Sequence, residues 1–458
     1  MNAYELVMVG RETASFSVPY IPIDGAHQIK SSSSIVKSLT MKVMSGNSRS
    51  SNVLFSVRVE KDISEDYVSR LQLLLHELDY RYVAPPCPSM NFLRSHNEWI
   101  HNTLGPTTSW TTSQLDVLED TSSAVIERSY PSADTEMKAI MAKLTALGIF
   151  LDDSVENDVM YEEIGSFGHH LYIGESQPSD ILELYHECIK ELSHLHEGDP
   201  VLRGLAVVPW INFVDACLLE KRLLTIDTEL RASPYDMGYQ HLAKQRLDGI
   251  SHAARETSPG ASIHFPLYIR NRTGIAEAYA AAIFKCTKEQ GLPLSRYIMA
   301  LPDMSFYIVV MNDLLSFHKE ELAGETVNMI HLRTQALKEN SGTGASGEWT
   351  VLDTFNLLCN EVREAANRID EIVRLQDIEK IMRDKSHGRG MGLSEVDVTI
   401  ALQWREFRDG YISWHLESQR YKLDFIRRTN VFCVKIVEVF NYRSESYLTL
   451  KLLTTPTM

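Results

Sequence analysis

From Asp62 onward, apolar residues recur at three- and four-residue spacing, the period of helices buried along one face. Tyr67 to Tyr80 shows the pattern first, and Pro85, Pro86 and Pro88 stop it. Asp134 to Phe150 predicts a strong helix, apolar on one side through Met137, Ile140, Met141, Leu144 and Leu147. The same spacing predicts helices over 180–196, 200–230, 272–289, 303–321, 349–383 and 394–427. Ser394 and Asp397 open the last of these like a capping box. Strand signals are few and no repeat is visible, so the expected fold is all-α.

Residues 1–60 depart from the pattern. They carry Ser31 to Ser34, a second Ser-rich patch near Ser45 to Ser51, and no acidic residue from Gly25 to Val59. Ser15 to Ile21 and Val53 to Val57 read as strands or extended pieces. The expectation is a partly disordered extension, followed by one helical domain over 61–458. Two Gly-rich stretches, near 338–348 and 385–393, read as loop insertions between helices. The first holds a literal G-x-G-x-x-G at Gly342, Gly344 and Gly347, but helix-like sequence precedes it where a dinucleotide site needs a strand.

Composition narrows the function classes. The 458 residues carry 45 Lys and Arg against 61 Asp and Glu, a net charge of −16. That balance argues against a nucleic-acid or anionic-membrane surface, so an anionic ligand must be drawn to a local basic site. No apolar run reaches the roughly 18 residues of a membrane span, so no membrane partner is expected. The six cysteines are scattered without a C-x-x-C and read as reduced thiols, and the expected location is cytoplasmic. His186, Cys188, His194 and His196 crowd one predicted helix, but residues two apart face different ways, which disfavours a zinc site.

The chemistry concentrates in Asn312-Asp313-Leu314-Leu315-Ser316-Phe317-His318-Lys319-Glu320. At about 100° per residue, Ser316 lies about 40° from Asn312 on a helix, Lys319 about 20° to the other side and Glu320 about 80° away. An amide oxygen, a hydroxyl and a carboxylate on one stripe suit a hard divalent cation such as Mg²⁺, and Lys319 adds a point charge for phosphate. A second acidic site, Asp152-Asp153-Ser154-Val155-Glu156, closes the apolar helix that starts at Asp134. Asp152 and Glu156 share a face if that helix persists. Carboxylates at a helix C-terminus oppose the dipole, and a cation would remove the conflict. Each site follows an apolar helix, so two such helices facing each other would enclose a greasy cavity with a metal-binding rim.

This arrangement resembles the class I terpene cyclases, which pair an aspartate-rich motif with an N-D-x-x-S-x-x-x-E motif. Asn312, Ser316 and Glu320 match the second motif at each ligand position, and Asp152, Asp153 and Glu156 match the first. Phe265 to Gly274 is similar to the segment bearing that family's diphosphate-sensing arginine, with Arg270 the better fit and Arg272 the fallback. Arg420-Tyr421 is similar to its Arg-Tyr diphosphate contact, a partial match because Glu417 and Gln419 stand where other residues often precede the pair. The resemblance spans about residues 62 to 430 and is nearest the trichodiene synthase family of fungal sesquiterpene cyclases.

The resemblance implies an α-helical bundle with a central active-site cavity and three Mg²⁺ ions held by Asp152, Glu156, Asn312, Ser316 and Glu320. It implies diphosphate contacts from Arg270, Lys319, Arg420 and Tyr421, with Asp153 orienting or binding metal. Farnesyl diphosphate is the implied substrate, longiborneol the specific product suggested, and a homodimer the assembly allowed for. Phe150, Trp210, Phe213, Phe306, Tyr307 and Trp414 are candidates to face the carbocation. A chain-elongating prenyltransferase, or a non-catalytic scaffold derived from such an enzyme, is the competing reading. The Asn/Ser/Glu form of the second site favours cyclisation.

Overall fold

The computed structural model of the chain describes residues 29–31, 34–43, 51–58, 65–85, 89–155, 157–232, 262–288, 291–325, 327–340, 349–383 and 394–427. The chain divides into two units, Met1–Asp62 and Ile63–Met458. In the first, β1 (Ile29–Ser31), β2 (Ser34–Val43) and β3 (Ser51–Arg58) form an antiparallel sheet in the order β1-β2-β3. The register sets Leu39 opposite Phe55 and Met41 opposite Val53. Val53 to Val57 therefore lies in a strand, whereas Ser15 to Ile21 falls outside the described residues.

The second unit is helical. Its described helices are α1 (Glu65–Glu77), α2 (Met90–Trp99), α3 (Thr112–Ser129), α4 (Thr135–Ser154), α5 (Asp158–Ile173), α6 (Asp180–Leu195) and α7 (Pro200–Ala232), followed by α8 (Phe265–Thr273) and α9 (Ala276–Ala282). Then come α10 (Leu301–Ala323), α11 (Met329–Asn340), α12 (Val351–Ile372), α13 (Leu375–Arg383), α14 (Glu395–Glu417) and the short α15 (Asp424–Arg427). Helix starts follow local chemistry. Asp134 caps α4 by accepting from the Met137 amide, and Ser394 with Asp397 forms the capping box expected for α14.

Helix α3 escaped the sequence reading because part of its buried face is Thr121, Ser122 and Ser123 rather than aliphatic residues. Thr121 and Ser122 donate back to the carbonyls of Val117 and Leu118, which satisfies the hydroxyls and lets them pack. Helices α2 and α5 were likewise not anticipated.

Three predicted helices are broken. Of the helix expected over 272–289 only α9, Ala276–Ala282, forms apart from the last two residues of α8, the two being parted at Gly274 and Ile275, where Ile275 takes φ 51°. A Cβ on Gly274 would stand 2.3 Å from Val309 Cγ1, so only glycine lets α8 lie this close to α10. The helix expected over 349–383 parts at Arg374, φ 59°, and that over 394–427 stops at Glu417. The Gly-rich stretches 341–348 and 384–393 lie outside the described residues, and α11 runs on to Asn340.

Helix α14 crosses α3 at Gly410, where a Cβ would meet the Arg128 carbonyl oxygen at 2.0 Å. That approach brings Phe407, Tyr411 and Trp414 to the wall of the central cavity. Two segments, Pro200–Leu223 and Ile298–Ala323, are long and apolar enough to cross a membrane by length and composition. Their apolar residues include Trp210 and Val214 on one and Ile308 to Met311 on the other, all buried in the core.

Candidate active site

A cavity of about 690 Å³ opens between α3, α4, α7, α8, α9, α10, α14 and the turn after α14. Four of these elements line it in the same sequence order. On α4, Thr145, Gly148 and Ile149 are followed by Asp152 and Asp153; on α10, Ile308 and Val309 are followed by Asn312 to Glu320. On α7, Trp210 and Phe213 precede Glu220 and Lys221, and along α14 and the turn after it Phe407, Tyr411 and Trp414 precede Arg420 and Tyr421. The result is an apolar floor and a charged rim. Of the aromatic candidates, Trp210, Phe213 and Trp414 line the cavity. Phe150 instead packs on Trp110, and Tyr307 on Trp404. Tyr130, Tyr279, Phe407 and Tyr411 are lining aromatics that the sequence did not single out.

Arg270 holds the rim together. Its Nε donates to Asp313 Oδ1 at 2.7 Å and its Nη2 to Asn312 Oδ1 at 2.8 Å. Burial works against its charge, but the Asp313 carboxylate outweighs that and raises its pKa above the ordinary value. Arg272 stands apart, its guanidinium over the Tyr268 ring. Asn312 Nδ2 lies 3.1 Å from His415 Nε2 and 3.5 Å from the Tyr421 hydroxyl. Ser316 Oγ donates to the Asp313 carbonyl at 3.4 Å. Lys319 and Arg420 both reach the cavity.

The acidic end of α4 differs from its sequence reading. The helix stops at Ser154, and Asn157 accepts from the Val159 and Met160 amides to start α5. Val155, which follows α4, still has helical backbone angles. Glu156 itself lies outside the described residues. Asp152 and Asp153 are accessible to water yet sit among the rim's protein mass. Desolvation first, then Asp153, raises the Asp152 pKa, against the opposing charges of Arg420, Arg270 and Lys319.

The rim includes a carboxylate that no motif announced. Glu220 projects from α7 into the same space, its pKa pushed up to about 7 by burial and then by Asp152. Glu320 is likewise pushed up to about 7, by burial and then Asp313. One signal was available for Glu220. At 100° per residue it falls within about 80° of Trp210 and Phe213 on α7, the same apolar-then-acidic stripe as on α10. Its weakness is that a single Glu before Lys221 and Arg222 looks like an ordinary solvated turn.

The residues present fit a hard cation. Asp313 Oδ2 and Glu320 Oε2 are buried without a hydrogen-bond partner. Several carboxylates are held above their ordinary pKa, and the available donors are oxygens. Among the described residues no three His, Cys, Asp or Glu side chains cluster tightly enough to hold an ion alone. An ion here would be shared across helices, with water and ligand oxygens completing its shell, as Mg²⁺ prefers. The histidines on and just after α6 face elsewhere: His194 contacts Glu197, and His196 the Leu192 carbonyl.

An enclosed apolar floor under a rim of cations and cation-seeking oxygens defines an enzyme for an amphiphilic substrate with a greasy body and an anionic head. No family model matches the chain. Among curated proteins it is 30% identical over 294 residues to terpene synthase BipA of Cochliobolus sativus, covering 64% of this chain and 71% of that one. It is 26% identical over 293 residues to longiborneol synthase CLM1 of Gibberella zeae, covering 64% and 68%. It is 23% identical over 296 residues to the (E)-beta farnesene synthase of Metarhizium brunneum, covering 64% and 70%. Among solved structures, linalool/nerolidol synthase from Streptomyces clavuligerus superposes with a TM-score of 0.45 at 16% identity, covering 74% of this chain and all of that one. The chain belongs to the terpene synthase family of enzymes, and its relatives in that family include fungal terpene synthases.

Proposed function

We propose that the chain is a Mg²⁺-dependent sesquiterpene cyclase that ionises farnesyl diphosphate and closes the resulting carbocation to a hydrocarbon or alcohol. The observation that carries this reading is the shared polarity of the four lining elements, apolar first and charged last. The rim matches a diphosphate and the floor matches a prenyl chain. A volume of about 690 Å³ suits one ligand of a few tens of heavy atoms.

Breaking the allylic carbon–oxygen bond leaves negative charge on diphosphate and positive charge on carbon. Arg270, Lys319, Arg420 and the Tyr421 hydroxyl would take the first, in a site partly closed to water. Asp152, Glu156, Asn312, Ser316 and Glu320 would hold Mg²⁺, with Asp153 and Glu220 beside them. Bound there, the ions would neutralise the departing diphosphate. The faces of Trp210, Phe213, Tyr279, Tyr411 and Trp414 would face the cation, each contributing on the order of 1–2 kcal/mol when desolvated. Longiborneol as product has the relative from Gibberella zeae as its support, and the placement nearest the trichodiene synthase group rests on the four motifs. The free thiols of Cys188, Cys217, Cys286 and Cys359 favour a reducing compartment, consistent with the cytosol.

Purified protein incubated with farnesyl diphosphate and Mg²⁺ is expected to release a volatile C15 product, detected by gas chromatography with mass spectrometry. No volatile product from this substrate, with geranyl and geranylgeranyl diphosphate also inert, would overturn the proposal.

A further inference from the structure

His415 sits in the last turn of α14, fully buried and wedged between the rings of Tyr411, Trp414 and Tyr421 at centroid distances of 4.4, 4.5 and 4.4 Å. Its Nδ1 lies 2.8 Å from the Tyr411 carbonyl oxygen. A carbonyl only accepts, so Nδ1 carries the ring's proton. Nε2 of the neutral ring then offers a lone pair, 3.1 Å from the Asn312 carboxamide. Only the NH₂ end of that amide can donate to it. On the other side, Arg270 Nη2 is a donor and needs the amide oxygen at 2.8 Å. The two neighbours demand the same orientation, whereas a turned amide would set oxygen against a lone pair and NH₂ against a guanidinium.

We propose that His415 is a positioning residue: as an acceptor at Nε2 it holds the Asn312 amide with its oxygen on the Arg270 side, toward the diphosphate rim. Tyr421 rests against the same imidazole, so one ring ties the final turn of α14 and the Arg420-Tyr421 turn to the ligand stripe of α10. The consequence for ligand binding rests on the proposed diphosphate function, while the tautomer and amide orientation stand on geometry alone.

The test has two arms. In native protein labelled with ¹⁵N-histidine, His415 is expected to show the neutral ring protonated at Nδ1; the Nε2-protonated tautomer would overturn the proposal. Binding of inorganic diphosphate with Mg²⁺ is then followed by titration calorimetry. His415→Phe keeps a ring but removes the acceptor, and is expected to weaken binding about 10-fold or more, as loss of a group that orients a ligand does. His415→Gln, whose amide oxygen replaces the acceptor, is expected to recover part of that loss. In an Asn312→Ala background the His415→Phe effect should vanish. If native protein binds and His415→Phe binds equally well, the inference fails alone. If native protein binds no diphosphate with Mg²⁺, the site reading fails and takes the binding consequence with it.

Discussion

On α10 Asn312, Asp313 and Ser316 are tied down, whereas at the end of α4 Asp152 and Asp153 stand open. Asp313 is buried against Arg270, Asn312 is held between Arg270 and His415, and Ser316 bonds back to its own helix. Asp152 and Asp153 are exposed and no hydrogen bond to either is present among the described residues. The two walls offer related ligands with different preorganisation. A wall fixed by packing can present its ligands without rearranging, and the opposite wall is left free to move toward a bound ion. Burial decides which is which: α10 runs through the core, with Leu314 and Leu315 fully buried, while α4 ends where the chain turns away to start α5.

The comparison breaks most sharply on activity. Combined Asn312→Ala and Ser316→Ala is expected to leave a folded protein by circular dichroism and to cut turnover of farnesyl diphosphate by about 10³-fold or more. Unchanged turnover would show that the stripe is structural. Asp153→Ala, on the open wall, is expected to cost less, about 10- to 100-fold. An equal or greater loss there would remove the distinction between the walls.

Stability separates them next. Asp313→Ala leaves the Arg270 charge largely buried without its carboxylate and is expected to destabilise by about 3 kcal/mol in denaturant unfolding. Asp153→Ala is expected to stay within about 0.5 kcal/mol of the parent. Similar values for the two would deny that α10 is the preorganised side.

The smallest effect is in pH. Glu220 and Glu320 bind protons more tightly in the folded chain, with pKa near 7 for each against an ordinary value of about 4.3. Between those values the native state holds more protons than the unfolded one, so these groups lower stability as pH rises from about 5 to about 8. The thermal midpoint of metal-free protein should fall across that window. The fall should flatten in Glu220→Gln and Glu320→Gln, and with Mg²⁺ and diphosphate present. A flat profile for the metal-free parent would mean that the rim carboxylates are not held as described.

Much of the fold was legible because helix period is a local property. The apolar spacing located α4, α6, α7 and α10 close to their ends. Where the reading failed, the cause was non-local or hidden. The chain leaves helical geometry at Ile275, φ 51°, and glycine is needed beside it at 274 only because Val309, on another helix, occupies the space of a Cβ. Arg374 needs a left-handed backbone that no breaker residue announced. Helix α3 buries hydroxyls that satisfy themselves, which interrupts its apolar stripe between Leu118 and Val125.

The sequence by itself determined which oxygens and charges the site has on α10, and their phase around that helix, since rise and turn per residue depend only on local backbone geometry. It also located Arg270, Arg420 and Tyr421 as candidates. Only the tertiary structure decided that Glu220 joins them, that Arg270 rather than Arg272 meets Asn312, that α4 ends before Glu156, and that His415 faces an amide 103 residues away. Those outcomes depend on which helices become neighbours, and neighbours are chosen by packing of the whole core.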